Sequence, residues 1–186
     1  MAHVSDDCRI YNFYGPTECT EVATEHLVTS ADLAYASMPL GRPMANVHVY
    51  ILDDHLQPVI PGLHMGEICI AGAGVFAGYL NRPDLTEKVL CTVDGELCYR
   101  TGDLGRLNPH TRVFEYCGRR DHQVKLRGQR LELGEIESTI TQLATMCVTI
   151  KTVHNDNEHL VAYVQTTSTV DDLRMHCTSR LPAYMV

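Results

Sequence analysis

The sequence predicts an α+β fold in two parts: a small antiparallel β region, then a short α+β unit. Three observations predict it. Val47, Val49 and Ile51 alternate with His48, Tyr50 and Leu52, the period of two that belongs to a strand. Further short apolar runs follow, each bounded by Asp, Gly or Pro turn residues. After residue 119 the pattern changes, and a 3.6-residue apolar period appears for the first time.

The elements can be justified in chain order. Residues 9–27 mix aromatic, turn and acidic side chains, with Gly15-Pro16 as a turn after which a new element begins. The strand at 47–52 turns back through Asp53-Asp54 and Pro61-Gly62 into a second strand at 67–70. Gly72, Gly74 and Gly78 then interrupt regular structure. A short strand at 97–100 ends at Thr101-Gly102-Asp103, and another spans 112–116. Gln123, Lys125 and Arg127 alternate with Val124 and Leu126, and Arg127-Gly128-Gln129 forms a hairpin tip. Leu133, Ile136, Ile140 and Leu143 line one face of a helix. Strands at 146–153 and 160–165 flank a polar turn. Thr169 and Asp172 form a capping box for a last helix, which stops near Pro182.

Composition narrows the function classes. With 186 residues the chain is one domain or one plus part of a second, long enough to bury roughly two-thirds of its unfolded surface. Fifteen basic against twenty-three acidic residues give a net charge of -8, which argues against nucleic-acid and anionic-membrane partners. No apolar run is long enough to span a bilayer, and the first ten residues lack the apolar stretch of a signal peptide. The eight cysteines show no CxxC pair and no zinc spacing, so they read as reduced thiols of a cytoplasmic protein. No GxSxG and no Walker motif is present.

Three clusters carry candidate chemistry. In NFYGPTE, residues 12–18, an amide and an aromatic ring can read and stack a purine, while the Thr17 hydroxyl and Glu18 carboxylate can meet a phosphate oxygen and a hard cation. Taken alone, the same residues also suit a surface turn. In YRTGD, residues 99–103, Asp103 can accept both hydroxyls of a ribose diol or simply close its own turn. Five cations between residues 119 and 130 suit either a phosphate site or a solvated hairpin face, since Glu132, Glu135 and Glu137 follow at once. A fourth pattern, GAGVFA at 72–77, matches a dinucleotide fingerprint but is followed by GYLNRP, which starts no helix.

In this order NFYGPTE, GEICIAGAGVFAGYL, YRTGDL, GRRDHQVKLRGQRLELGEIE and LPAYMV resemble the adenylation domain of nonribosomal peptide synthetases. That domain belongs to the adenylate-forming superfamily, with acyl-CoA synthetases and luciferases. The resemblance runs from about residue 11 to residue 186. It implies a partial adenylate-forming fold, with residues 1–118 the C-terminal part of a large core including its β subdomain and residues 119–186 an incomplete lid domain. It also implies ATP and Mg²⁺ as cofactors, AMP-bound intermediates, an amino-acid substrate, and a carrier protein whose phosphopantetheine thiol receives the acyl group.

Position by position, the resemblance assigns Asn12, Tyr14 and Gly15 to the adenine side, Thr17 to phosphate and Glu18 to Mg²⁺. Asp103 corresponds to the ribose acceptor, Tyr116 and Arg119 to further nucleotide contacts, and Asp121 to the hinge. Lys125 lies on the hairpin that the lid presents in one state, and Phe13, Glu21 and Val22 fall where the family lines its amino-acid pocket. The family's phosphate loop, its amino-binding Asp and its C-terminal lysine have no counterpart, and Leu90 stands where Phe is usual. The expectation is therefore a C-terminal piece of the domain, inactive alone, with partly uncovered apolar faces on residues 11–27 and 47–52. An acyl-CoA or aryl-acid ligase piece and a non-catalytic interaction module are the alternatives.

Overall fold

A computed structural model describes residues 5, 7–35, 37–121, 123–154 and 157–186. The fold is α+β, with antiparallel sheets and few helices. The chain divides into two compact units, Met1–Arg120 and Asp121–Val186.

The first unit is built on β1 (Tyr11–Tyr14), β2 (Thr24–Leu27) and β3 (Arg42–Pro43), which form one sheet in that order. A second sheet has the order β4 (Val47–Leu52), β5 (Gly66–Gly72), β7 (Glu96–Leu107), β6 (Leu90–Val93), and β8 (Phe114–Arg119) also pairs with β7. All pairings are antiparallel. The central strand β5 is buried on both faces. Ile68 and Ile70 pack with Ile51, Tyr99 and Phe114, whereas Cys69 and Ala71 pack on the other side with Leu52, Val93 and Cys98. A near-continuous apolar run, ICIA, is what such a strand requires. Each fully buried aliphatic side chain contributes about 1.5–3 kcal/mol.

Two local expectations are corrected. The strand expected to end at Thr101-Gly102-Asp103 continues to Leu107, because those residues form a bulge rather than a stop. The strand expected at 112–116 runs Phe114–Arg119, because Asn108 closes a turn before it: Asn108 N donates to Val113 O at 3.0 Å and Arg112 sits at φ 56°. The apolar face of β4 is partly uncovered as expected, with Ile51 buried but Val47 and Val49 only half-buried, and Tyr11, Phe13 and Leu27 are exposed.

Helix α1 (Pro83–Val89) lacked an apolar period in the sequence and was not anticipated. Polar signals define it instead: Pro83 occupies its first position, Asp84 its first turn and Lys88 its last turn, each complementing the helix dipole.

In the second unit, β9 (Gln123–Leu126) and β10 (Gln129–Glu132) form a hairpin. Its tip is Arg127-Gly128, both at positive φ, the turn geometry that matches the strands' twist. Helix α2 (Leu133–Ile140) follows at once, then the hairpin of β11 (Met146–His154) and β12 (Asn157–Gln165), then α3 (Val170–Thr178). The core joins Leu126, Leu131, Leu133, Ile136, Ile140 and Cys177. Leu143 lies beyond the end of α2 and is exposed, so the expected apolar stripe stops one turn earlier. The Glu137 carboxylate accepts the Thr149 N–H at 2.6 Å, fastening α2 to β11.

The capping box of α3 forms as the sequence expects. Thr169 Oγ1 accepts from Asp172 N at 3.2 Å, and Asp172 Oδ2 accepts from Thr169 N at 3.2 Å. Among the described residues, no helix is long and apolar enough to cross a membrane. Replacing Thr169 by Ala should lower the stability of the second unit by about 1 kcal/mol. Urea denaturation followed by circular dichroism would show it, and an unchanged midpoint would contradict the capping account.

Candidate functional site

The site grows from the irregularity in β7. Cys69 pairs with Arg100 and Glu67 with Leu104, so Thr101, Gly102 and Asp103 stand opposite Ile68 alone. Gly102 has φ 73°, a conformation a side chain would strain. A second bulge follows on the other edge, where Leu104 pairs with Gly118 and Gly105 with Tyr116. Bulges re-aim side chains, and this one turns the Asp103 carboxylate out of the ladder. The Thr101 hydroxyl fixes the bend by donating to Ile68 O at 2.8 Å while accepting from Asp103 N at 3.0 Å.

Asp103 is only 9% exposed, so its charge needs partners. The Tyr14 hydroxyl donates to Oδ2 at 2.6 Å, and Arg119 Nη1 donates to Oδ1 at 2.6 Å. Arg119 Nη2 also reaches Thr101 O at 3.2 Å. Residues 14, 103 and 119, far apart in the chain, thus form one polar cluster. The phenol of Tyr14 is pushed well above the ordinary tyrosine range, first by burial and then by the Asp103 charge and hydrogen bond. Asn12, on the same face of β1, donates from Nδ2 to Pro39 O at 2.8 Å.

Beyond β1 the chain makes a single 3-10 turn, Thr17–Cys19, with Glu18 and Cys19 buried and Thr17 exposed. Gly15 is required sterically, since a Cβ there would lie 2.5 Å from Glu21 O and 2.7 Å from Ala23 N. Thr20 and Glu21 follow with φ 61° and 69°, two consecutive left-handed residues that cost about 1–2 kcal/mol each. The loop after β5 holds this turn in place. Phe76 N donates to Glu18 O at 2.8 Å, and Thr20 Oγ1 donates to Gly74 O at 2.9 Å. The Tyr79 hydroxyl donates to Glu18 Oε1 at 2.6 Å, and burial and that contact raise its pKa.

Comparison with known proteins matches this arrangement to one group. The profile of the AMP-binding enzyme family covers residues 1–80. Malpibaldin synthetase of Mortierella alpina is 43% identical over 100% of this chain, which spans 4% of that protein. An artificially fused adenylation-PCP di-domain of a nonribosomal peptide synthetase from Klebsiella oxytoca superposes with TM-score 0.77 at 30% identity, over 98% of this chain and 35% of that one. The Vibrio cholerae adenylation domain AlmE, solved with glycyl-adenosine-5'-phosphate, gives TM-score 0.81 at 30% identity, over 95% of this chain and 35% of that one. The chain belongs to the adenylation domains of the AMP-binding enzymes.

The remaining positions singled out in the sequence fall into separate places. Phe13 is on the opposite face of β1 from Tyr14 and Asn12, exposed and stacked on Tyr11 with ring centroids 6.0 Å apart. Glu21 is exposed and Val22 half-buried, both in the turn after Glu18. Tyr116 lies on β8 at the second bulge, 36% exposed. In the second unit, Asp121 Oδ1 accepts from Gln123 N at 3.1 Å, and Lys125 is an exposed residue of β9 paired with Arg130. Two of the five cations between residues 119 and 130 form ion pairs: Arg119 with Asp103, and Arg120 with Asp54 and Glu67.

Sequence reasoning missed Glu67, Tyr79 and Thr101, which support the cluster from behind. A signal for Glu67 existed, a lone acid leading the apolar run ICIA. The raised phenols of Tyr14 and Tyr79 set a sign for alkaline stability. An unfolded tyrosine ionises near pH 10, and these two keep their protons above that pH. Their stabilisation is complete below about pH 10 and is lost as pH climbs toward the folded values. Stability should therefore fall on raising the pH above about 10, and a Tyr14→Phe, Tyr79→Phe double variant should show a shallower fall in denaturant midpoint.

Proposed function

We propose that the chain supplies the nucleotide side of an enzyme that activates an amino acid with ATP and passes the aminoacyl group to a carrier-protein phosphopantetheine thiol. In that reaction the substrate carboxylate attacks the α-phosphate, pyrophosphate leaves, and the acyl-adenylate then meets the thiol. The observation that carries the reading is the buried Asp103 carboxylate, held by Tyr14 and Arg119 at the bend of β7. A carboxylate has about four acceptor sites, so one already engaged by two donors can still take a ribose diol. Its preset orientation lowers the cost of binding.

The other roles follow from chemistry. The Tyr14 ring, fixed at its hydroxyl, offers a face to adenine, and Asn12 offers its amide oxygen to the exocyclic amine. Thr17 meets phosphate. Glu18 fits Mg²⁺, because that ion takes one or two protein carboxylates and completes its shell with phosphate oxygens and water. Among the described residues no cluster of three acidic, His or Cys ligands offers an all-protein cage. When bound, the ion would neutralise phosphate charge. Tyr116 and Arg119 are assigned to further nucleotide contacts, Asp121 to the hinge, Lys125 to a presented hairpin, and Phe13, Glu21 and Val22 to the amino-acid side. Two of the similar structures support amino-acid and carrier chemistry, since AlmE was solved with glycyl-adenosine-5'-phosphate and the Klebsiella protein carries a fused PCP. Free thiols at all eight cysteines suit a reducing cytoplasm.

The chain spans about a third of the solved adenylation proteins it resembles, so ATP–pyrophosphate exchange is expected to stay at background for the 186-residue chain alone. Exchange above background would overturn that statement. AMP titrated into the chain should shift the NMR signals of Tyr14, Gly102 and Arg119. Asp103→Ala should weaken binding by about 10-fold or more, the worth of hydrogen bonds to a charged group. Equal affinity in the variant would sink the ribose assignment.

A further inference from the structure

The bulge that carries Asp103 is itself held by a residue to which nothing above gives a role in the reaction. Glu67, on β5, is 4% exposed. Its Oε2 accepts from Arg100 Nε at 3.1 Å and Nη2 at 2.7 Å, and its Oε1 accepts the Gly102 backbone N–H at 3.1 Å. Arg120 Nη1 approaches Oε2 at 3.4 Å, and the Arg120 backbone N–H donates to Gly102 O at 2.8 Å. Gly102 is therefore gripped on both sides, by Glu67 at its N–H and by Arg120 at its carbonyl, and Arg120 returns to Glu67. The loop of contacts is closed around the one residue whose conformation decides where Asp103 points.

We propose that Glu67 is a positioning residue for the nucleotide site: through Gly102 and its two arginines it fixes the bend that presents Asp103. The proposal deepens the nucleotide reading and rests on it. A buried carboxylate shared by two guanidiniums and an amide is a costly way to stabilise a strand, since an apolar side chain of like volume does as well or better. What the apolar side chain cannot do is hold a peptide N–H at a ladder break. Beyond Glu67 the same segment, through Tyr79, also orients Glu18. One continuous stretch, residues 67–79, thus backs both carboxylates of the site.

Two variants separate the contributions. Glu67→Gln keeps an acceptor for Gly102 and drops the charge, whereas Glu67→Leu removes both. AMP affinity and the Gly102 amide exchange rate are measured on the 186-residue chain, beside Val93→Ala, which loosens the same unit at β6, a strand that pairs with β7 and not with β5. Glu67→Leu should raise the AMP Kd at least ~10-fold and speed Gly102 exchange by a similar factor, with a smaller effect for Glu67→Gln. Val93→Ala should lower the melting temperature with the Kd unchanged. A Kd that rises as the melting temperature falls, in proportion across all three variants, overturns the proposal, as does unchanged Gly102 exchange in both Glu67 variants. If the parent chain binds no AMP, the nucleotide reading fails on that result alone, and the exchange rates still decide whether Glu67 holds the bulge. If Glu67→Leu does not fold, Glu67→Gln carries the comparison.

Discussion

Asp103 can be buried only because two donors converge on it, and the architecture of the first unit follows from that need. Tyr14 comes from the edge of one sheet and Arg119 from the last residues of another. A carboxylate stripped of water without partners would take up a proton or force the site open. The hydroxyl and the guanidinium remove that penalty and fix both oxygens in space. The apolar cluster of Ile68, Ile70, Tyr99 and Phe114 in the second sheet also takes in Tyr14 of the first, so packing and hydrogen bonding hold that side chain together.

The support is layered. Thr101 and Glu67 shape the backbone under Asp103, and Phe76, Thr20 and Tyr79 do the same for the turn under Glu18. Each of the two acids, Asp103 and Glu18, thus sits on backbone that neighbouring side chains and amides hold in place. Rigid backing of this kind matters more for phosphate chemistry than any single reactive group, because catalysis there is mostly placement and charge.

Much of this was legible in the residues. The alternation at 47–52, the capping box at Thr169 and the hairpin around Gly128 follow local rules, so they could be read locally. The motifs flagged Tyr14, Glu18, Asp103 and Arg119. What could not be read was the bulge: a Gly after a strand looks like a stop, and only pairing with β5 and β8 reveals that the strand goes on. Glu67 was hidden for the same reason, since its partners lie 33 to 53 residues away. Helix α1 escaped because no apolar stripe marks it, and Leu143 was overcounted because periodicity does not know where a helix ends.

The long strand β7 serves as a common rail: its first half meets β6, its second half β8, and β5 runs along the opposite side. Because a shift of one residue exchanges the two faces of a strand, an insertion anywhere between positions 96 and 107 would misalign three neighbours together. Length variation among homologous chains should therefore collect in the connections at 53–65 and 108–113, and the frame between them should tolerate replacement of letters but not a change in their number.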